Sequence, residues 1–286
     1  MKYQPMLPIS ARRLPRGSKW RYELKLDGWR MMAEVADGRA TLWSRNGLDL
    51  TARFPELATE IARVVRQRDC VLDGEVVVLD ERGHPDLRAL RAGLKPRRYY
   101  IFDVLEADGE PTVHLPLSAR RRRLSTVVVK SRYVQIVDWF EDADALWQVV
   151  AGASLEGVVA KDLESEYLPG RRASSWVKVK LRRRQVFVIT GYVLNSARSL
   201  AGLTLAEEQD GQLVAVGRCS TGFSDAEAAK LLATLRPLRQ GQTPAGIHRV
   251  KPVVRCRVAF SDRTSTGRLH QPSYLGMVRD DEPDGR

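Results

Sequence analysis

The stretch Glu23-Leu24-Lys25-Leu26-Asp27-Gly28-Trp29-Arg30 decides how the first half of the chain is organised. Side chains two positions apart on a strand share a face, so an extended run would present its first three charged residues together and turn both leucines toward the core. Gly28 is then expected to end the strand in a tight turn. A lone lysine on a strand is usually a surface residue. A lysine held at a strand end among polar partners is what covalent catalysis by an amine requires, and Lys25 has that setting.

The composition is that of a folded protein with room for one large domain or two ordinary ones. The chain has 286 residues, of which 43% are hydrophobic, and no apolar run is long enough to cross a bilayer. The start lacks the apolar core of a signal peptide, so we expect a cytoplasmic protein. The three cysteines, Cys70, Cys219 and Cys256, lie far apart, which favours small buried hydrophobes over a disulfide set or a zinc site.

The charge balance favours a polyanionic partner. Lysine and arginine number 47 against 35 acidic residues, which gives a net charge of +12. The blocks Arg120–Arg123 and Arg182–Arg184 are typical of solvated helix faces or linkers. An excess of this size nevertheless indicates a nucleic acid, because cations that neutralise phosphates release condensed counterions. No amphipathic anchor supports binding to a membrane.

The first half of the chain mixes strands with helices. Hydrophobic periodicity predicts helices over residues 54–67, from residue 118 through the arginine block, and over 142–150. Strands are predicted over residues 39–43, 70–80, 97–105, 155–161 and 176–180, with an Asn-Gly turn at residues 44–47. We therefore expect an α+β domain over residues 1–183.

The character of the chain changes near residues 181–185. Short strands are predicted over residues 186–194, 203–208, 213–220 and 253–260. One helix interrupts them and begins at Ser224, which has capping-box spacing to Glu227. Several strands around one helix predict a small Greek-key barrel of the OB type over residues 184–286.

Acids and bases occur inside the predicted strands of the first domain, where burial of charge is costly. They are Asp73, Glu75, Glu156, Lys161, Lys178 and Lys180. Any one of them could lie on the wet face of an edge strand. Because most strands of a sheet have neighbours on both sides, convergence of these side chains on one cleft is the simpler explanation.

The segment Lys25-Leu26-Asp27-Gly28-Trp29-Arg30 resembles the nucleotidyl-lysine motif of the covalent nucleotidyltransferases, which include ATP-dependent DNA ligases, RNA ligases and mRNA-capping enzymes. Further segments match the same series in the same order: Ser44–Gly47, Leu72–Glu75, Ile101–Asp103, Glu156–Lys161 and Trp176–Lys180. The last two, and residues 185–192, most resemble bacterial ATP-dependent ligases of the end-joining type. The resemblance implies an ATP-grasp-like nucleotidyltransferase domain with antiparallel sheets and flanking helices, followed by an OB-fold barrel.

The resemblance also implies a role for each matched residue. Lys25 would attack the α-phosphorus of ATP after losing its proton, and neighbouring cations would favour that loss. Glu156 would bind a divalent metal, Mg²⁺ or Mn²⁺, with Glu75 as a second carboxylate. Phe102 would stack on adenine, although its position also suits a core aromatic. The remaining nucleotide-binding residues would be Glu23, Leu24, Arg30, Arg45, Glu75, Lys178, Lys180 and Arg279. Asp27 would orient either Lys25 or Arg30.

The end of the chain departs from the family pattern. Arg279 and Asp281 match the motif that closes over ATP, but Glu282 stands where relatives have lysine, and His270 and Gln271 also differ. An acid near the leaving pyrophosphate would repel it. We therefore expect slow self-adenylylation that Glu282→Lys accelerates.

The resemblance favours ATP over NAD, since the four-cysteine zinc element of NAD-dependent ligases is missing and few residues precede Lys25. The expected function is ATP-dependent sealing of 5′-phosphate and 3′-hydroxyl ends in DNA repair or recombination, in the bacterial cytosol or nucleoid. The expected partners are nicked or broken double-stranded DNA and end-binding repair proteins, with the protein acting as a monomer and without a membrane. The alternatives are an RNA ligase or capping-type enzyme, and a catalytically weak nucleic-acid-binding relative.

Overall fold

Two units divide the chain, Met1–Leu181 and Arg182–Arg286. A computed structural model describes residues 1–66, 69–264 and 266–278. The boundary expected after residue 183 falls two residues beyond the observed one. No helix of the described residues is long and apolar enough to cross a membrane.

The first unit contains eleven strands and four helices among its described residues. The strands are β1 (Leu7–Ser10), β2 (Trp20–Leu24), β3 (Trp29–Ala36), β4 (Arg39–Ser44), β5 (Cys70–Val78), β6 (Arg97–Ala107), β7 (Glu110–Pro111), β8 (Val134–Ile136), β9 (Trp139–Phe140), β10 (Gly157–Asp162) and β11 (Arg172–Lys180). The helices are α1 (Pro55–Val64), α2 (Leu87–Arg91), α3 (Leu117–Val127) and α4 (Ala143–Gly152).

Two sheets organise these strands. One has the order β1-β11-β10-β2-β9, and the other has the order β4-β3-β5-β6-β7 with β8 beside β6. Most neighbours are antiparallel, but β1 pairs with β11 and β8 with β6 in parallel. Met32, Phe102, Tyr167 and Trp176 belong to one buried cluster that draws residues from both sheets. This layer between the sheets supports the floor of the site described below.

Helices cover the outer faces of both sheets. The amphipathic helix α1 buries Leu57, Ile61 and Val64 in the largest core cluster, which also contains Leu124 of α3. Helix α4 buries Leu146 and Val150 against the sheet that contains β2 and β10. Asp142 caps α4 by accepting hydrogen bonds from the backbone N–H groups of residues 144 and 145.

The opening segment differs from its predicted conformation in two ways. Strand β2 ends at Leu24, so Lys25 lies just beyond the strand, where its N–H donates to the carbonyl of Gly157 at 2.9 Å. Gly28 does not serve a left-handed turn. A Cβ atom at this position would lie 2.2 Å from the carbonyl oxygen of Val76, so glycine is needed because β5 passes close by.

The expectation of a solvated arginine block in α3 was wrong for two of its four residues. Arg120 and Arg121 are buried, and the guanidinium of Arg120 makes two hydrogen bonds of 2.8 Å to the carboxylate of Asp103. Both arginines fall within the apolar spacing of Leu117, Leu124 and Val127, which turns them toward the sheet. Helical periodicity was the signal that the charge run obscured.

The second unit is built mainly of antiparallel strands. They are β12 (Arg183–Leu194), β13 (Leu200–Gln209), β14 (Gln212–Cys219), β15 (Arg239–Gln242), β16 (His248–Val250), β17 (Arg255–Phe260), β18 (Asp262–Arg263), β19 (Leu269–His270) and β20 (Ser273–Val278). The seven strands other than β18 and β19 form one sheet, whose long central strand β12 pairs with β13, β16 and β17. Its helix α5 (Asp225–Leu235) begins with the predicted capping box of Ser224 and Glu227.

Candidate active site

A cavity of about 660 Å³ lies in the first unit, where the motif residues meet. It brings together most of the residues that the sequence assigned to the nucleotide, together with several that it did not. The lining includes Glu23, Leu24, Lys25, Arg30, Arg45, Glu75, Phe102, Val159, Lys161, Arg172, Trp176 and Lys178.

Strand register explains why distant motifs converge here. In the β10–β2 pair Val159 lies opposite Glu23, and in the β10–β11 pair it lies opposite Lys178. Alternate residues of neighbouring strands share a face, so Lys161 and Trp176, which are also opposite each other, join the same surface. Three adjacent strands therefore present one continuous polar and aromatic surface to the cavity.

The Lys25 amine is held beside this surface by the carboxylate of Glu156. Its Nζ lies 2.6 Å from Oε2 of Glu156, whose Oε1 lies 2.9 Å from Nζ of Lys180. The side chains of Lys25 and Glu156 retain 21% and 14% of their exposure, so both can reach a ligand.

Lys178 on β11 lies near the same positive charges. Burial, followed by the charges of Lys25 and Lys180, lowers the pKa of Lys178 from its ordinary value. Three ammonium groups near one another create a positive electrostatic potential that attracts an anion. A phosphate group is the anion that such lysines bind as point charges.

Two further acids lie close to this cluster. Burial raises the pKa of Glu75 to about 8, with Glu156 adding to the rise and Lys25 and Arg30 opposing it. Burial and then Glu156 raise the pKa of Asp27, which Lys25 and Lys180 oppose. Asp27 therefore interacts electrostatically with the Lys25 cluster.

The guanidinium of Arg30 is held in place by a buried carboxylate. Its Nε and Nη2 each donate to the buried carboxylate of Asp73 at 2.6 Å. Burial alone would lower the pKa of Arg30, but Asp73 more than offsets this and raises it. The guanidinium lies over the Phe102 ring, 4.6 Å from its centroid.

The opposite wall is aromatic and contains a buried lysine. Phe102 packs edge-on against Trp176, with ring centroids 6.0 Å apart. Lys161 Nζ lies 4.2 Å from the centroid of each ring, and 2.7 Å from Oε2 of Glu23. Burial lowers the pKa of Lys161, against the effect of Glu23. The rings and the carboxylate together compensate a cation that has lost its water.

Glu23 retains an unused acceptor in this wall. Its Oε1 is buried and has no hydrogen-bond partner among the described residues, although Nη1 of Arg121 lies 3.7 Å away as an ion-pair partner. A buried acceptor of this kind suits a ligand that brings an N–H donor. Trp176 similarly has a buried Nε1–H without a partner in the described part of the chain.

The predicted residues thus fall into three groups. The first group, Glu23, Leu24, Lys25, Arg30, Arg45, Glu75, Phe102 and Lys178, lines the cavity. In the second group, Glu156 is linked to the cavity by its ion pair with Lys25, and Lys180 pairs in turn with Glu156. Arg279 and Glu282 lie outside the described residues, so their roles stay predictions. Arg121 and Tyr167 were missed, and Lys161, which was expected to converge on the cleft, was assigned no role there. Only Lys161 carried a signal, as a charge inside a β-branched strand.

The carboxylates allow a limited test for a metal ion. No cluster of three or more His, Cys, Asp or Glu side chains in the described ranges could enclose a metal. Mg²⁺ commonly takes only one or two carboxylates and completes its shell with water and substrate phosphates. Glu156 and Glu75 fit that pattern, and they do not fit a metal held by protein ligands alone.

Comparisons with known proteins agree with this geometry. Residues 5–180 match the family described as "ATP dependent DNA ligase domain", and residues 196–282 match the "ATP dependent DNA ligase C terminal region". A structure titled "mycobacterial DNA ligase D complexed with ATP and MES" has 31% sequence identity and a TM-score of 0.60, covering 98% of this chain and 96% of that one. The fold is therefore that of a nucleotidyltransferase domain followed by an OB-fold-like domain, as predicted.

Two curated relatives extend the comparison. The "Multifunctional non-homologous end joining protein LigD" of Pseudomonas aeruginosa is 34% identical over 98% of this chain, which spans 36% of that protein. "DNA ligase C1" of Mycolicibacterium smegmatis is 34% identical over 83% of this chain and 74% of its own length. The chain belongs to the ATP-dependent DNA ligase family and resembles its end-joining type, so the predicted resemblance is confirmed.

Proposed function

We propose that this chain is an ATP-dependent DNA ligase that joins 5′-phosphate and 3′-hydroxyl ends during non-homologous end joining. The observation that carries the proposal is the Lys25–Glu156–Lys180 cluster at the mouth of a cavity whose wall is aromatic. An amine, phosphate-binding lysines and a base-stacking wall are the parts that a lysyl-AMP intermediate needs. The end-joining relative supports the assignment to that pathway.

The reaction begins at Lys25. After it loses a proton, Nζ forms a bond to the α-phosphorus of ATP, the bond from that phosphorus to the bridging oxygen breaks, and pyrophosphate leaves. A 5′-phosphate oxygen of DNA then attacks the same phosphorus, and the N–P bond breaks. Finally the 3′-hydroxyl attacks the DNA phosphorus and AMP leaves. Lys178 and Lys180 lie where they would stabilise charge on the α-phosphate.

Different walls of the cavity would bind different parts of the nucleotide, according to their polarity. Phe102 and Leu24 supply apolar contact for adenine, and the free Oε1 of Glu23 would accept from its amino group. Arg30 and Arg45, with the acid Glu75, supply donors and an acceptor for the ribose hydroxyls and the adjoining phosphate.

Glu156 and Glu75 would hold the divalent cation together with the phosphates of ATP. Mg²⁺ or Mn²⁺ supplies positive charge against the phosphates when it is bound. The wider assignments are also proposals: nicked or broken double-stranded DNA as substrate, end-binding repair proteins as partners, a monomeric state and the bacterial cytosol or nucleoid as location. The net charge of +12 supports the DNA substrate.

Labelled nucleotides test the proposed function. The protein is incubated with magnesium and α-labelled ATP or GTP, and then with a nicked DNA or a nicked RNA duplex. We expect protein-bound label from ATP alone and sealing of the DNA nick. Label from GTP would indicate a capping-type enzyme, and preferential sealing of RNA would indicate an RNA ligase. Absence of label from both nucleotides would overturn the proposal and leave a nucleic-acid-binding relative.

A further inference from the structure

A tyrosine outside the cavity is connected to one of its arginines through a buried acid. The hydroxyl of Tyr167 donates to Oδ2 of Asp73 at 2.6 Å, and the same carboxylate receives Nε and Nη2 of Arg30. The tyrosine oxygen also accepts from the N–H of Met6 at 2.8 Å. The carboxylate is fully buried, and these donors satisfy it on both oxygens.

The network fixes how Arg30 faces the cavity. Two of its guanidinium nitrogens are committed to Asp73, and Nη2 also donates to the carbonyl of Met6 at 3.1 Å. Nη1 makes no hydrogen bond within the part of the chain that the structure describes, so it is the nitrogen left for a ligand. The guanidinium also lies over the Phe102 ring, 4.6 Å from its centroid.

Tyr167 is itself held rigidly. It lies between β10 and β11, its side chain is buried, and its N–H donates to the carbonyl of Val113 at 2.8 Å. Its ring packs edge-on against Trp176 at 5.7 Å. Burial raises its pKa well above the ordinary value, so the hydroxyl stays protonated and remains a donor to Asp73.

We propose that Tyr167 is a positioning residue that acts through Asp73 to hold the Arg30 guanidinium in the orientation that binds the ribose of ATP. The inference rests on the proposed function, because it concerns the same nucleotide site. Tyr167 and Asp73 do not line the cavity, so they act on the nucleotide only through Arg30.

Tyr167→Phe tests the proposal, because it removes one oxygen and keeps the ring. Self-adenylylation is measured with ATP and with 2′,3′-dideoxy-ATP, which lacks both ribose hydroxyls. We expect the KM for ATP to rise about 5- to 10-fold, because the hydrogen bond from the Arg30 guanidinium to the ribose is weakened rather than lost. The maximal rate should change less than about 2-fold, and the preference for ATP over the dideoxy analogue should narrow.

A background variant and a matched control separate positioning from packing. In the Arg30→Lys background, Tyr167→Phe should change the KM by less than about 2-fold, because residues that act through one another are not additive. Tyr3→Phe is the control: Tyr3 also donates to a buried acid, Glu106, at 3.3 Å, but away from the cavity. It should leave the KM and the analogue preference unchanged.

The possible failures are distinguishable. A folded Tyr167→Phe variant with the parent KM and the parent analogue preference overturns the positioning role. Loss of cooperative thermal unfolding in this variant overturns it also, because the hydroxyl would then serve the fold rather than Arg30. A parent protein that takes no label from ATP overturns the proposed function, and the inference falls with it.

Discussion

Two lysine–glutamate pairs join the same two segments of chain and differ in their surroundings. The β2 side provides Glu23 and Lys25, and the β10 side provides Glu156 and Lys161. The Lys25–Glu156 pair measures 2.6 Å and the Lys161–Glu23 pair 2.7 Å, so the direct contacts are nearly the same.

Burial and neighbours distinguish the pairs. The side chains of Lys161 and Glu23 are 3% and 4% exposed, and the ammonium is enclosed by two aromatic rings. The side chains of Lys25 and Glu156 are 21% and 14% exposed, and Glu156 shares its charge with Lys180. The Lys161–Glu23 pair is fixed by its packing, whereas the Lys25–Glu156 pair can exchange partners when a ligand binds. The same two residue types are therefore held by packing in one place and remain accessible to a ligand in the other.

The largest expected effect comes from Lys25→Met. It removes the nucleophile, so protein-bound label from ATP should fall by at least about 10³-fold. The free energy of unfolding should change by less than about 1 kcal/mol, because Glu156 keeps Lys180 as a partner and the pair is partly exposed. Urea unfolding and the label assay check both expectations. Retained label would contradict the chemical role, and a large loss of stability would contradict the contrast between the pairs.

Lys161→Met applies the same substitution to the buried pair. It leaves Arg121 at 3.7 Å as the remaining ion-pair partner of the Glu23 carboxylate among the described residues, so we expect a loss of about 3 kcal/mol in the free energy of unfolding. The double variant Lys161→Met with Glu23→Leu should recover part of this loss, because the buried carboxylate is removed while Arg121 keeps its hydrogen bonds to the carbonyls of Phe102 and Val137. Urea titrations measure all three proteins, and a single variant as stable as the parent would show that the packing does not fix this pair.

Glu75 provides a pH-dependent comparison, because this third cavity glutamate forms no ion pair within the described residues. Its pKa is raised to about 8 in the folded state, against an ordinary value of 4.5. The folded state therefore binds more protons than the unfolded state between these values, and stability falls as the pH rises from about 4.5 to 8. Glu75→Gln should flatten this dependence. Unfolding at pH 5, 6.5 and 8 measures it, and an unchanged slope would refute the raised pKa.

The smallest effect is expected for Lys19→Met. Lys19 pairs with Asp162 at 2.8 Å between the same two segments, but its side chain is 59% exposed. An exposed pair contributes little, so the free energy of unfolding should change by less than about 0.5 kcal/mol, with adenylylation unchanged. This variant is the matched control for the other two lysines. A loss as large as that of Lys161→Met would show that burial does not decide the cost.

The sequence predicted the order of the motifs and the elements that carry them, because strand register follows from periodicity and short turns. The strand over residues 70–80 was observed as Cys70–Val78, and of the alternating lysines of β11 Lys178 lines the cavity while Lys180 pairs with Glu156. Strand β1 was missed, since its four residues pair in parallel with a strand more than 150 positions away. Pairing at such a distance leaves no local signal.

The contacts behind the site were not predictable from patterns of charge. The arginine block suggested a solvated face, yet Arg120 and Arg121 brace the sheet. Tyr167 lies between β10 and β11, and its bond to Asp73 depends on how two sheets pack. Gly28 carried a turn signal but serves a close approach to β5. Each of these depends on tertiary packing, which spacing along the chain does not encode.

The role of Lys25 as the nucleophile is tested most directly by locating the bound nucleotide on the chain. The protein is incubated with ATP and magnesium, digested under mildly alkaline conditions that preserve a phosphoramidate, and analysed by peptide mass spectrometry. We expect a single AMP adduct on Nζ of Lys25, with Lys161, Lys178 and Lys180 unmodified. An adduct on any of those three lysines, or on a residue outside the cavity, would contradict it.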